Sequence, residues 1–177
     1  TMSTLITTTA QIGTIKDAGG NATGMTIDSA GRVFRPVIPA WNVSLNSNQT
    51  HSSNSSFVVN WDKTSGNSNF IQGGCTISSG TITVPVAGLY QVSANIRFNN
   101  VSANYIELYL RIGASTSPPA MYAIEGNPYE PYHTVVVSGV LKLNANNTLD
   151  TLVYGGGDTS HAVSSGNLST FSGVMIG

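Results

Sequence analysis

The sequence predicts an all-β fold, an antiparallel sandwich or barrel, preceded by an extended N-terminal β arm. No long stretch of the chain has apolar residues at the i, i+3, i+4, i+7 spacing of an amphipathic helix. Instead, β-branched residues dominate, and short runs of alternating apolar and polar residues recur. Clusters of Gly, Pro, Asn and Ser separate these runs, as is typical of antiparallel sandwiches and barrels.

The composition restricts the classes of function. The 177 residues are 40% hydrophobic, which is enough for one folded domain with an appendage, but only 8% charged. With seven Lys and Arg in total and a net charge of −1, the chain has no basic stripe for nucleic-acid phosphates. It has neither a basic amphipathic helix nor an apolar run long enough to span a bilayer, so we expect no membrane insertion. The first residues do not resemble a secretory signal.

Residues 1–35 are predicted to form an attachment or oligomerisation arm. Glycines divide this segment into short β-prone pieces, and residues 29–33 are typical of a hairpin turn. Its apolar residues are too sparse for an independent core, so we expect it to add strands to, or wrap around, a partner. Pro36 and Pro39 mark the junction with a head domain over residues 36–177.

The head contains the strongest strand signals. The run 106–112 alternates most clearly and places Glu107 and Arg111 on one face. A run of valines also leads through Gly139 into a further apolar stretch. The strands predicted from such patterns lie at 81–84, 89–98, 106–112, 135–137, 140–143, 149–154 and 171–176.

Several motifs in the head occur in a known order. They are PAW at 39–41, FVVNWDK at 57–63, TITVPVAGLYQVS at 81–93, VSGVLKL at 137–143 and STFSGVMI at 169–176. In these motifs the sequence from Pro39 onward resembles the globular head of the complement component-one q subunit, within the tumour-necrosis-factor-like jelly rolls. The resemblance implies an antiparallel jelly-roll sandwich that forms a homotrimer.

The motif residues have physical roles that fit this fold. Pro85 cannot donate to a ladder, so the strand must end or bulge there, while Gly88 permits a close approach as the chain re-enters the sheet. Gly173 has no side chain and allows tight packing beside Phe171. Where the family has Gly-Asp before a core strand, this sequence has Asn146 and Asn147. The residues expected in the fold and trimer core are Trp41, Phe57, Trp61, Pro85, Gly88, Tyr90, Phe171 and Gly173.

We expect no catalytic residue, metal or cofactor. The single Cys75 is interpreted as a small buried hydrophobe rather than a catalytic thiol. The three histidines, His51, His133 and His161, lack the spacing of metal ligands, and no Gly-x-Ser-x-Gly nucleophile motif or paired carboxylates occur. Asp158 and His161, in a Gly-rich loop, are the most site-like pair.

A recognition surface is predicted at one pole of the head. In the strand order that the resemblance implies, the loops around 99–104, 126–132 and 155–167 follow alternate strands, so they should emerge at the same end. The predicted contacts with a host-surface glycan or protein are Asn100, Asn104, Tyr129, Tyr132, Asp158 and His161. The tyrosines suit such contacts because they are rigid and amphipathic, although each could instead pack its loop onto the head.

The arm resembles structural proteins of marine tailed phages in the segment 25–33, MTIDSAGRV. This resemblance implies a viral structural protein on the virion surface, either a short fibre tip or a head decoration, bound to capsid or tail proteins through the arm. The alternative is a secreted complement-like or lectin-like recognition module. An enzyme on a jelly-roll scaffold has the least support, because no residue constellation favours it.

Overall fold

The computed structural model describes residues 26–27, 29–34, 38–51, 55–66, 68–99, 101, 103–115, 118–126, 132–157 and 161–177. Within these ranges every regular element is a strand. The strands are β1 (Thr26–Ile27), β2 (Val33–Phe34), β3 (Ala40–Leu45), β4 (Gln49–His51), β5 (Ser56–Val58), β6 (Phe70–Gln72), β7 (Thr76–Ser78), β8 (Thr81–Thr83), β9 (Gly88–Asn99), β10 (Tyr105–Ile112), β11 (Met121–Gly126), β12 (Tyr132–Leu143), β13 (Thr148–Gly156), β14 (His161–Val163) and β15 (Gly166–Met175).

The chain divides into two compact units, Thr1–Val37 and Ile38–Gly177. In the first, β1 and β2 pair antiparallel, and Gly31 in their turn has a φ of 79°, which favours glycine. The predicted hairpin is therefore confirmed. Residues 1–25, 28 and 35–37 lie outside the described part of the chain, and so does most of the predicted arm.

The head consists of two antiparallel sheets. In the first sheet, the strand order is β6-β3-β15-β9, and β12 pairs with the other edge of β9. Strand β14 also pairs with β9, at the end of that strand, and β4 pairs with β14. In the second, the order is β11-β10-β13-β8-β7, with β5 on β13. The chain passes repeatedly from one sheet to the other, as in a jelly roll. It does so at the connections β4–β5, β5–β6, β6–β7, β8–β9, β9–β10, β11–β12, β12–β13 and β13–β14. The predicted all-β sandwich is confirmed.

Alternation explains why the long strands form where they do. Every second residue of β9 from Tyr90 to Phe98 is buried, and the intervening residues lie on the outer face. Strand β12 pairs with β9 along its whole length and runs unbroken through Gly139. A Cβ at Gly139 would lie 2.7 Å from the Met121 sulfur, so a larger residue here would displace the flexible end of that side chain.

The core lies between the sheets and contains large aromatic rings. Trp41, Trp61, Tyr90 and Phe171 are at most 1% exposed. Gly173 lies opposite Trp41 in the β3–β15 register, and a Cβ there would come within 2.3 Å of the indole. The predicted tight packing at this glycine is confirmed.

Of the other predicted fold residues, Pro85 and Gly88 lie between β8 and the start of β9, and Phe57 lies within β5. Strand β8 ends at Thr83, before Pro85, and β9 begins at Gly88, where a Cβ would meet the Gly177 carbonyl oxygen at 2.6 Å. The ring of Phe57 is half-buried and stacks on His51 at 4.8 Å. These positions are explained within a single chain, and their part in a trimer core stays a prediction.

Two asparagines form the turn before β13. Asn146 has a φ of 65°, a left-handed conformation that asparagine tolerates better than most residues. The side chain of Asn147 accepts a hydrogen bond of 2.8 Å from the Asn144 amide. The turn is thus made without the glycine that the resembled family uses.

Candidate recognition surface at the apex of the head

The ends of several strands meet at one end of the sandwich, which we call the apex. Tyr132 pairs with Asn99 in the first sheet, and Tyr105 pairs with both Gly126 and Gly156 in the second. The short connection from β9 to β10 joins these two groups. The predicted loops therefore start and finish at the same end of the head.

The β9–β10 connection closes the core at the apex. Val101 and Ala103 are 6% and 0% exposed, and thus face inward, whereas Asn104 is exposed. The Asn104 amide donates a hydrogen bond of 2.8 Å to the Gly156 carbonyl, and a Cβ at Gly157 would meet the Asn104 side-chain nitrogen at 2.5 Å. The backbone of Asn104 is therefore anchored to β13, and the residue is exposed to solvent.

Tyr132 presents an aromatic ring at the apex. It is 57% exposed, and the Arg97 guanidinium carbon lies 4.2 Å from its ring centroid. This cation–π contact fixes the ring while leaving much of it open to solvent. The next residue, His133, points to the opposite face of β12, where its Nδ1 lies 3.0 Å from a Glu125 oxygen. An exposed ring beside the Arg97 guanidinium suits contact with a glycan or a protein surface.

The predicted contact at His161 is wrong. The residue is 2% exposed and lies among Phe57, Phe98 and His51, at ring-centroid distances of 5.7, 6.0 and 6.0 Å. His161 begins β14 in register with His51, so its side chain is in the aromatic packing rather than in the preceding loop. A receptor cannot reach it without unpacking this end of the head.

Of the five other predicted contact residues, the structure describes two. Asn104 and Tyr132 are both exposed at the apex, so they can contribute to one surface. Asn100, Tyr129 and Asp158 lie outside the described residues, and their predicted roles stay predictions.

A buried ion pair lies on the outer side of the second sheet and was not predicted. Arg111 and Asp150 face each other across β10 and β13, with hydrogen bonds of 2.6 Å from Nε and 2.8 Å from Nη2 to the two carboxylate oxygens. Alternation in 106–112 predicted that Glu107 and Arg111 share a face, which is correct. It could not show that Arg111 is paired with a residue far along the chain.

A groove on the same face carries further chemistry that sequence analysis missed. Its volume is about 310 Å³, and its lining comprises Ser56, Glu107, Tyr109, Leu152 and Tyr154; we call it the tyrosine groove. The Tyr109 hydroxyl donates a hydrogen bond of 2.5 Å to Glu107 Oε2. This bond, followed by burial, raises the pKa of Tyr109 to about 12. The alternation of 106–112 was the available signal, since it puts Glu107 and Tyr109 side by side.

Elsewhere in the described residues, reactive chemistry is scarce. Burial raises the pKa of the Cys75 thiol to about 11, and this thiol is a poor nucleophile at neutral pH. No three His, Cys, Asp or Glu side chains of the described ranges cluster as metal ligands would. The same ranges include no helix with the length and apolar character needed to cross a bilayer.

Comparison with known proteins adds no family assignment. No protein-family model matches the chain, and no curated protein matches it.

Proposed function

We propose that the protein is a non-enzymatic structural protein of a virion surface, a trimeric short fibre tip or head decoration whose apex contacts the host cell. The observation that carries the proposal is a set of large apolar side chains exposed along one edge of the sandwich, which we call the apolar edge. The chain as a whole has few charged residues. The sequence resemblances support the trimer and the virion assignment.

The apolar edge is formed by the outermost strands of the two sheets. Strand β11 pairs only with β10, and β12 only with β9, among the described strands, and the two edge strands contact each other. Along them lie four large apolar side chains that are at least 52% exposed: Tyr122, Ile124, Val136 and Val140. On each strand the two side chains are an even number of residues apart and therefore share a face, and an exposed apolar pair of this kind favours burial against another chain.

A complementary surface lies on the outer face of the first sheet. A groove of about 570 Å³ runs across β3, β6, β9 and β15, and its lining contains Phe70, Gln91, Ser93, Ser172 and Val174. None of its lining residues is charged, so an apolar edge can enter without stranding an ion. We infer that the apolar edge of one copy packs into this uncharged groove of the next. A head-to-tail contact forms a ring when the rotation between successive copies closes, and the resemblance implies a ring of three copies.

Light scattering tests the trimer. The wild type should have about three times the chain mass of 18.4 kDa. Val136→Lys with Val140→Lys should yield monomers, because burial of two ammonium groups in an apolar interface is costly. Thr76→Lys, on the exposed edge strand β7, is the matched control and should remain trimeric. A monomeric wild type, or a charged-edge variant that still forms the trimer, would contradict this interface.

Attachment to the particle is assigned to residues 1–35. Deletion of residues 1–35 should leave a folded, trimeric head. When virions assemble in the presence of this truncated protein, the virions should not incorporate it. The measurement is head occupancy on purified virions, with melting temperature as the check on folding. Normal occupancy of the truncated head would show that the arm is not the attachment element.

Host contact is assigned to the apex. Tyr132→Ala should lower adsorption of particles to host cells while leaving the melting temperature unchanged, since the ring is largely exposed. His161→Ala is the packing control and should lower the melting temperature, because that ring is buried. Full adsorption by the Tyr132 variant would place the contact elsewhere.

A further inference from the structure

The residues of the tyrosine groove come together through cross-strand register. Glu107 on β10 lies opposite Tyr154 on β13, which in turn lies opposite Ser56 on β5. The next row has Tyr109 opposite Leu152. Directly opposed residues of neighbouring strands point to the same face, so the lining is a continuous surface built on rigid strands.

Packing fixes the aromatic rings around the groove. Tyr109 stacks on Tyr122 with ring centroids 6.1 Å apart and planes at 22°. Tyr105 lies against Gly156, where a Cβ would come within 2.2 Å of the ring, and its centroid is 5.8 Å from that of Tyr154. These rings have little freedom left to lose when a ligand binds.

The polar groups of the groove are a mixture of donors and acceptors around an apolar floor. Leu152 is 8% exposed and forms the floor, while Ser56 supplies a hydroxyl at the margin. Glu107 accepts from Tyr109 through Oε2, which uses one of the roughly four lone-pair sites of a carboxylate. A carboxylate oxygen with open lone pairs in a partly apolar groove can accept hydrogen bonds from ligand hydroxyls.

We propose that the tyrosine groove binds a single residue or short segment of an uncharged pyranose sugar, with its C–H face on the tyrosine rings and its hydroxyls on Glu107 and Ser56. The volume of about 310 Å³ lies at the small end of the range for ligand sites, as a sugar unit requires. This groove lies on the flank of the head. The proposal that it binds a sugar does not depend on the virion assignment or on host contact at the apex.

The charge of the groove selects the class of sugar. Glu107 is the only charged residue of its lining, and no Lys or Arg lies among the lining residues. A sugar acid would bring a second carboxylate next to Glu107, which like-charge repulsion disfavours. A neutral pyranose instead offers several hydroxyl donors to one acceptor without such repulsion.

Ligand-observed saturation-transfer NMR on the full chain tests the proposal. The probes are the methyl glycosides of glucose, galactose, mannose and N-acetylglucosamine, with glucuronic acid and tetramethylammonium as the anionic and cationic comparisons. At least one neutral glycoside should bind at millimolar concentration, and the acid should not. Glu107→Gln and Tyr154→Ala should each weaken that binding about tenfold, because each removes a charged acceptor or a ring face.

Two controls keep the test specific. Tyr109→Phe retains the ring and removes only the hydroxyl, so it should stay folded and retain part of the binding. Leu168→Ala removes an exposed apolar side chain on β15 of the first sheet and should leave sugar binding unchanged. The proposal is overturned if no neutral glycoside binds, if only the tetramethylammonium ion binds, or if Leu168→Ala abolishes binding while Glu107→Gln does not. A change of oligomeric state in the Glu107 variant would likewise overturn it, since the face would then be a subunit interface.

Discussion

Replacement of Arg111 by Met should be among the most damaging single changes outside the aromatic core. The pair that it breaks is buried, with side-chain exposures of 9% for Arg111 and 6% for Asp150. Loss of the guanidinium leaves the Asp150 carboxylate away from water without its cation. Removal of one partner of a buried ion pair typically costs about 3–5 kcal/mol. Arg111 also donates a hydrogen bond of 3.3 Å to the Ala114 carbonyl, so the following turn loses a contact as well.

The expected change is large enough to measure without ambiguity. For a chain of this size, about 3–5 kcal/mol corresponds to a fall of about 6–20 °C in melting temperature. Urea unfolding followed by circular dichroism gives the free energy directly, at one fixed protein concentration because an oligomer's stability depends on it. Lys142→Met, an exposed cation on β12, is the matched control and should change stability by no more than about 0.5 kcal/mol.

A double variant distinguishes the loss of the ion pair from the cost of leaving one charge buried without its partner. Arg111→Met with Asp150→Leu removes both charges, so it should be much less destabilised than the sum of the single changes. If Arg111→Met alone stays within about 1 kcal/mol of the wild type, the pair is not buried as described and the reasoning fails. Strict additivity of the two changes would refute it equally.

Other expected results follow from single contacts. Gly173→Ala should lower the free energy of unfolding by about 1–3 kcal/mol, because the added methyl group would overlap the indole ring of Trp41. Gly126→Ala is the control and should not lower it, since a Cβ there would have no neighbouring atom within 4 Å. Thermal melts of the two variants and the wild type give the comparison. Glu107→Gln should lower the pKa of Tyr109 from about 12 towards its ordinary value, as followed by NMR of labelled tyrosine. Because the folded-state pKa is the higher one, the associated stability is present below pH 10 and is lost as the pH rises towards 12. Cys75 should resist alkylation in the native state at neutral pH and react once urea unfolds the chain; rapid native labelling would contradict its burial.

The sequence alone determined the fold class and the local devices that delimit strands. Two-residue alternation predicted β9 and β10 closely, because one face of each strand must be apolar to be buried. The roles of Pro85 and Gly173 were also predictable, since one lacks a donor and the other lacks a side chain. These properties belong to single residues and their immediate neighbours, so they are visible in a linear chain.

Only the tertiary structure decided which distant residues share a surface. Asp150 meets Arg111, and Tyr154 meets Glu107, because the jelly-roll connections bring β13 beside β10. The same pairing rules placed His161 in the packed interior, although its glycine-rich neighbours indicated an exposed loop. Register between strands far apart in sequence depends on the closure of the whole sandwich, and no local pattern specifies it.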